Sequence, residues 1–256
     1  MTTTVKTDAA LFEFALRMGD NALILAQRIG AWCGHAPAVE EDIALANVSL
    51  DLIGQTKLWL GLAGDLEGKG RSADDLAFFR DARAFRNALL AEQPNGDFAQ
   101  TLMRQFLFDA WHHPMLVALK SSSEPRIADI AEKAEKEARY HLERSEDLII
   151  RLGDGSEESR ERMQGALDAL YPFAGELCAA DAIDADLAAR GIAPDLADIG
   201  ERYLAYLKPT LEEATLKAPA DAPTRKGGKQ GLHSEDLGYL LAEMQWMQRA
   251  YPGAKW

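Results

Sequence analysis

Glu137 and His141 stand four residues apart in the run EKAEKEARYHLERSEDLIIRL, residues 132–152. Ile127, Ile130, Ala134, Ala138, His141, Ser145, Leu148 and Leu152 recur in steps of three and four, which predicts one face of an α-helix; Lys133, Lys136, Glu143 and Arg144 are left for water. At positions i and i+4, the carboxylate and the imidazole can turn inward together from the edge of that face. A helical bundle presents a metal site in this way, or keeps the remains of one. A di-iron bundle needs one carboxylate from each of two helices and a Glu-x-x-His from each of the other two, with bridging carboxylate oxygens and terminal imidazole nitrogens. The available acids are Asp20, Asp51, Asp109 and Glu137, one on each of four long helical segments. The set is damaged. Asp51-Leu-Ile-Gly54 stands where one Glu-x-x-His belongs, and Gly54 has no side chain to ligate with. In Glu137-Ala-Arg-Tyr140 the imidazole is displaced by one residue, to His141. Three of the four acids are aspartates, a methylene too short for their oxygens to bridge well. His112 and His113 are spare imidazoles on the segment that should contribute only a carboxylate, and a set built on Asp109 and His112 stays open. Without a metal, Asp20 and Asp51 are expected to be buried acids held by hydrogen bonds or by an arginine, and His141 a hydrogen-bonded core histidine.

Long helices must position these groups. Residues 11–29 keep helical spacing and stop at the Gly–Pro break CGHAP; a second helix, apolar nearly all round and so expected at the centre, runs over about 39–66. EGKGRSADD reads as a loop and DARAFRNALL as a shorter helix. Asp97 is an N-cap for a third long helix, which Pro114 should kink, and Pro125 opens the fourth. Further helices follow, one interrupted at Pro172, before a long loop at 218–234 and a final helix after the N-cap Ser234. Strand-type alternation is absent. The expected fold is all-α: a ferritin-like four-helix bundle with a crossover and additional C-terminal helices, forming one domain over 1–256 with 1–7 as a loose tail.

Composition narrows the function further. With 28 Lys plus Arg against 41 Asp plus Glu, the formal charge of −13 argues against nucleic-acid or anionic-membrane binding. Two cysteines, Cys33 and Cys178, form no disulfide framework and no CxxC spacing. No apolar run reaches membrane-spanning length and no signal peptide opens the chain, so a soluble, cytoplasmic protein is expected. Nucleophile elbows, P-loops and dinucleotide fingerprints are missing. Arg225, Lys226 and Lys229 form a local basic cluster in the 218–234 loop, a candidate contact for acidic side chains of a partner or for the phosphates of a nucleotide-like ligand.

The runs LRMGDNALILAQRIGAWCGHAP, LDLIGQ, EQPNGDFAQT, FDAWHH, KEARYHLERSEDLIIRLG and RKGGKQGLHSEDLGYLLAEMQWMQR closely resemble the C subunit of bacterial phenylacetyl-CoA epoxidase, over nearly the whole chain from residue 11 to 256. The resemblance implies a ferritin-like fold and a structural, non-catalytic role beside a homologous A subunit that holds the di-iron centre. It also implies a small B subunit, a flavin and iron–sulfur reductase fed by NADPH, and phenylacetyl-CoA as substrate of the complex. No cofactor is then expected in this chain, and Asp20, Asp51, Gly54, Asp109, Glu137 and His141 would be vestigial positions. Two other readings stand beside it: an active di-metal oxygenase or ferroxidase using Asp20, Asp51, Asp109, Glu137 and His141, and a helical adaptor with no oxygenase partner.

Overall fold

A computed structural model describes residues 8–220 and 222–254; the tail expected at 1–7 lies outside the described residues. Among the described residues there are ten α-helices and no strand. The long helices are α1 (Ala9–Gly30), α2 (Val39–Glu67), α5 (Phe98–Leu119) and α6 (Pro125–Gly153). Between the two pairs lie α3 (Ala73–Phe78) and α4 (Leu89–Glu92); α7 (Glu157–Ala174), α8 (Ala182–Ala189), α9 (Leu196–Glu213) and α10 (Glu235–Ala250) follow. The α1–α2 and α5–α6 hairpins make the most extensive contacts, and α2 meets α6 to join them. This is the expected all-α ferritin-like bundle, with α7 and α9 packed on α5 and α6, α8 on α1, and α10 on α3.

Local chemistry accounts for the helix ends. Asp8 accepts from the backbone N–H of Leu11 at 3.1 Å and Asp97 from that of Gln100 at 3.0 Å, each filling an orphan donor of the first turn. Gly68 ends α2 at φ 68°, a left-handed position where a side chain would be strained. Gly19 lets the first hairpin close tightly, since a Cβ there would lie 2.6 Å from Leu60 Cδ2. The core between the helices is aromatic and aliphatic, with Leu52, Trp59, Phe85, Phe106 and Phe108 almost fully buried.

Four expectations change. Ser72 does not sit in a plain loop: it forms a capping box with Asp75 that starts α3. Helix α7 is not interrupted at Pro172 but runs through it to Ala174 and into a 3-10 turn at Gly175–Cys178. The run DARAFRNALL is a 3-10 turn at Ala82–Ala84, an extended segment and then α4. Its backbone donors are claimed from outside: Arg86 N–H by Asp20 at 2.8 Å, Ala88 N–H by Asn21 at 2.7 Å and Leu89 N–H by Glu176 at 2.7 Å. Those bonds replace the ones a helix would make. Finally, α2 is not sheathed by the bundle. One face is core, but Val39, Ile43 and Leu50 are 71%, 57% and 64% exposed, so its all-round apolarity serves two surfaces.

Candidate functional site

Helices α2 and α6 run antiparallel where they touch, and two polar contacts bridge them. His141 Nε2 lies 3.0 Å from Asp51 Oδ2, and Gln55 Nε2 donates to Glu137 Oε2 at 2.9 Å. Both helices therefore turn inward at i and i+4. Gly54 is exposed, and a Cβ on it would meet nothing within 4 Å, so a side chain there would face solvent. The inward neighbour of Asp51 is Gln55, one place on, just as the inward neighbour of Glu137 is His141 while Tyr140 points outward. This corrects the assignment of Gly54 to a lost ligand position.

Deeper in the bundle, the fully buried Asp109 of α5 accepts from Gln105 Nε2 at 2.6 Å and from Ser145 Oγ at 2.9 Å. Burial pushes its carboxyl up to about 7, although His141, Ser145 and Gln105 favour the charged form. Burial likewise raises the Glu137 carboxyl, against the Gln55 hydrogen bond; the nearby Asp51 charge adds to the rise. His112 is buried and lowered to about 3, by burial first and then by the neighbouring His141 and His113. His113 instead lies 3.2 Å from Glu135 of α6, which also accepts from Lys120 at the end of α5 and from Arg139. Bonded first to Arg139, Glu135 is held down to about 2. The sequence pattern put Ser145 on the inward face of its helix but gave no role to it or to Glu135, Gln55 and Gln105. Only the i+4 spacing of Asp51–Gln55 and Gln105–Asp109 could have drawn attention to them.

Asp20 belongs elsewhere. It is fully buried on α1 and bound by both terminal nitrogens of Arg80, Nη1 at 2.9 Å, and by the backbone N–H of Arg86 at 2.8 Å. Ser49 bonds to the Ala26 carbonyl and Gly19 abuts Trp59 and Leu60, so the hairpin register puts Asp20 near the level of Trp59. That is eight residues from Asp51, ~12 Å along the α2 axis at ~1.5 Å per residue. The arginine expected for a buried acid is therefore present at Asp20, while Asp51 is half-buried and paired with His141.

These donors do not fit a di-metal centre. Asp20 is neutralised by a guanidinium on another level, and Gln55 and Gln105 occupy the Glu137 and Asp109 carboxyls with neutral amides that offer no negative charge. Four buried atoms in this region, Gln55 Oε1, Gln105 Oε1, His112 Nδ1 and His141 Nδ1, have no protein partner. Among the described residues, no three His, Cys, Asp or Glu side chains converge in a way that would hold a metal ion.

The 218–234 loop is clamped from below. Glu176 Oε1 accepts from Gly227 N–H at 2.6 Å and Gly228 N–H at 2.8 Å. Gly228 lies so close to the Asn87 carbonyl that a Cβ would come within 2.1 Å. Glu92, fully buried, accepts from Ser234 N–H at 2.7 Å and from Asn87 at 2.9 Å, and lies 2.7 Å from His233 Nδ1. Lys229 turns inward to the Ala179 carbonyl at 2.9 Å and Asp184 at 3.1 Å, beside the Arg17–Asp181 pair. It is a structural cation and not a free surface charge, which corrects its place in the basic cluster. Arg225 and Lys226 remain exposed, Arg225 with its guanidinium 5.2 Å from the Phe173 ring centroid.

The family described as "Phenylacetic acid catabolic protein" matches residues 1–256. A relative from Escherichia coli (strain K12), the C subunit of 1,2-phenylacetyl-CoA epoxidase, is 49% identical over 246 residues, covering 96% of this chain and 99% of the relative. The helical bundle and the whole-length similarity agree, and this chain belongs to the phenylacetic acid catabolic protein family.

Proposed function

We propose that this chain is the structural, non-catalytic subunit of a phenylacetyl-CoA epoxidase, pairing with and stabilising a homologous subunit that carries the di-iron centre. The relative's role as the C subunit of such an enzyme supports membership of a complex of this kind. The observation that carries the non-catalytic part is that each acid is already engaged by another side chain: Asp51 by His141, Glu137 by Gln55, Asp109 by Gln105 and Ser145, and Asp20 by Arg80. Groups satisfied by one another in this way stabilise a bundle and leave no carboxylate pair to bridge two irons. In the assembly, the di-iron centre of the partner would supply oxygen activation, with electrons arriving from a reductase, and a small B subunit would complete the complex. This chain's residues would hold the shape of the partner's outer face. A cytoplasmic location fits work on a CoA thioester; no helix of the described residues is long and apolar enough to cross a membrane. The exposed Arg225 and Lys226 are the loop cations free to meet a partner's acids or CoA phosphates.

The test is iron content and oxygenase activity of the chain alone and mixed with its di-iron partner. The expected result is no stoichiometric iron and no turnover alone, and a partner that is more stable and active when mixed. About two irons per chain, lost on substituting Asp51 and Glu137, would overturn the reading in favour of an active di-metal enzyme.

A further inference from the structure

Helix α2 carries a second seam on the side away from the core. Val39, Ile43, Leu50 and Leu58 are 71%, 57%, 64% and 36% exposed, and Gly54 and Gly61 continue the same line. With the exposed Asn47 filling the place between Ile43 and Leu50, the spacing keeps steps of three and four from 39 to 61, ~33 Å of helix at ~1.5 Å per residue. The missing Cβ of either glycine would meet nothing within 4 Å in this chain. A stripe of branched residues interrupted by glycines is the surface on which another helix packs closely along its length. Tyr140, 52% exposed on α6, extends the apolar area past the Asp51–His141 contact.

Charge identifies the occupant. Lys57 lies two residues beyond Gln55 on α2, and Lys133 and Lys136 lie within one turn of Glu137 on α6, around the Gln55–Glu137 bridge. All three are exposed, and none has an acidic partner among the described residues. Three unpaired lysines beside an apolar seam, in a chain of net charge −13, call for carboxylates on whatever covers it. Packing α2 of a second copy on this seam supplies few of them. Two-fold antiparallel packing of α2 on itself would bring the N-terminal acids of α2 toward Lys57, but Glu41 is already bound by Arg144, and Asp42 by the backbone N–H groups of Gly34 and Ala36. Only Glu40 would be free for three lysines.

We infer that the α2 seam, with Tyr140 and the three lysines, is the docking face for one long helix of the homologous di-iron subunit, apolar along one side and bearing acids opposite Lys57, Lys133 and Lys136. This rests on the structural-subunit reading above and adds to it the surface and the partner's chemistry.

The experiment co-expresses the chain with the di-iron subunit of its own complex and measures association by size-exclusion chromatography with light scattering and by surface plasmon resonance. Gly54→Trp and Leu50→Asp test the seam, and Lys57→Glu, Lys133→Glu and Lys136→Glu together test the charge. Gly54 faces open space, so Gly54→Trp leaves the isolated chain folded, with an unchanged circular dichroism melt. The expected result is a stable heteromer for wild type, at least roughly thirtyfold weaker binding for Gly54→Trp, and slower association with a shallower salt dependence for the lysine triple variant. Wild-type association that survives all the variants overturns the face while leaving the subunit reading intact. Failure of wild type to associate overturns the reading itself. A homodimer of the chain alone that Gly54→Trp disrupts overturns the choice of partner.

Discussion

Replacing Asp20 with alanine should destabilise this chain more than almost any other single polar substitution. The carboxylate is fully buried, and both of its oxygens are used, by the two terminal guanidinium nitrogens of Arg80 and the backbone N–H of Arg86. Truncation leaves the Arg80 charge, itself only 5% exposed, with carbonyl partners at Leu76 and Ala84 and the face of Phe85 4.3 Å away, and it strands the Arg86 N–H. Breaking one side of a buried pair costs about 3–5 kcal/mol. A domain of this size then loses roughly 6–20 °C in Tm. Urea unfolding of the isolated chain measures the loss directly, with an unchanged slope expected if only the native state is affected. The double variant Asp20→Leu with Arg80→Met should recover much of the loss, since no uncompensated charge remains, but not all of it, since the Arg86 N–H still lacks an acceptor. An Asp20→Ala protein within about 1 kcal/mol of wild type would refute the argument. So would an assembled complex that loses turnover while the chain keeps its stability, because Asp20 would then belong to chemistry.

Three other outcomes follow from the same structure. Burial alone would lower the His233 imidazole, but the Glu92 carboxylate and the Phe85 carbonyl outweigh it and raise the group above its ordinary 6.5; its stabilisation is complete below pH ~6.5 and lost as pH climbs through the folded value, so His233→Gln should flatten stability over that upper window in pH-dependent urea melts. Burial holds the Asp109 carboxyl at about 7 against an ordinary 3.8; the extra proton bound by the folded state favours folding at low pH, and that advantage disappears as pH rises from about 4 past 7. Asp109→Asn keeps the amide in place of the protonated acid and should gain on wild type with rising pH; a constant difference would show that Asp109 does not titrate in the core. Lys229→Ala should lower the melting temperature by exposing the Asp181–Asp184 pair to repulsion, whereas Arg225→Ala with Lys226→Ala should leave it unchanged and raise KM for the CoA thioester or loosen assembly; loss of stability in the second pair would assign those side chains to the fold.

What the sequence could determine about this protein was local. Hydrophobic steps of three and four set the four long helices, and the caps at Asp97 and Pro125 set where two of them begin, because helix periodicity and end chemistry are carried by residues within a turn of one another. The same logic found His141 on an inward face. The partners of the acids were beyond it. Arg80 is 60 residues from Asp20, Glu137 is 82 from Gln55, and Glu92 is 141 from His233, so no periodicity links them; hairpin register and helix contact alone brought them together. For the same reason DARAFRNALL, helical by propensity, stays open, since side chains from two other segments, Asp20 and Asn21 of α1 and Glu176, take its amides. The second face of α2 was likewise unreadable, because a helix that is apolar all round looks the same whether its neighbours are in its own chain or in another. Tertiary packing decided which side became core and which was left exposed.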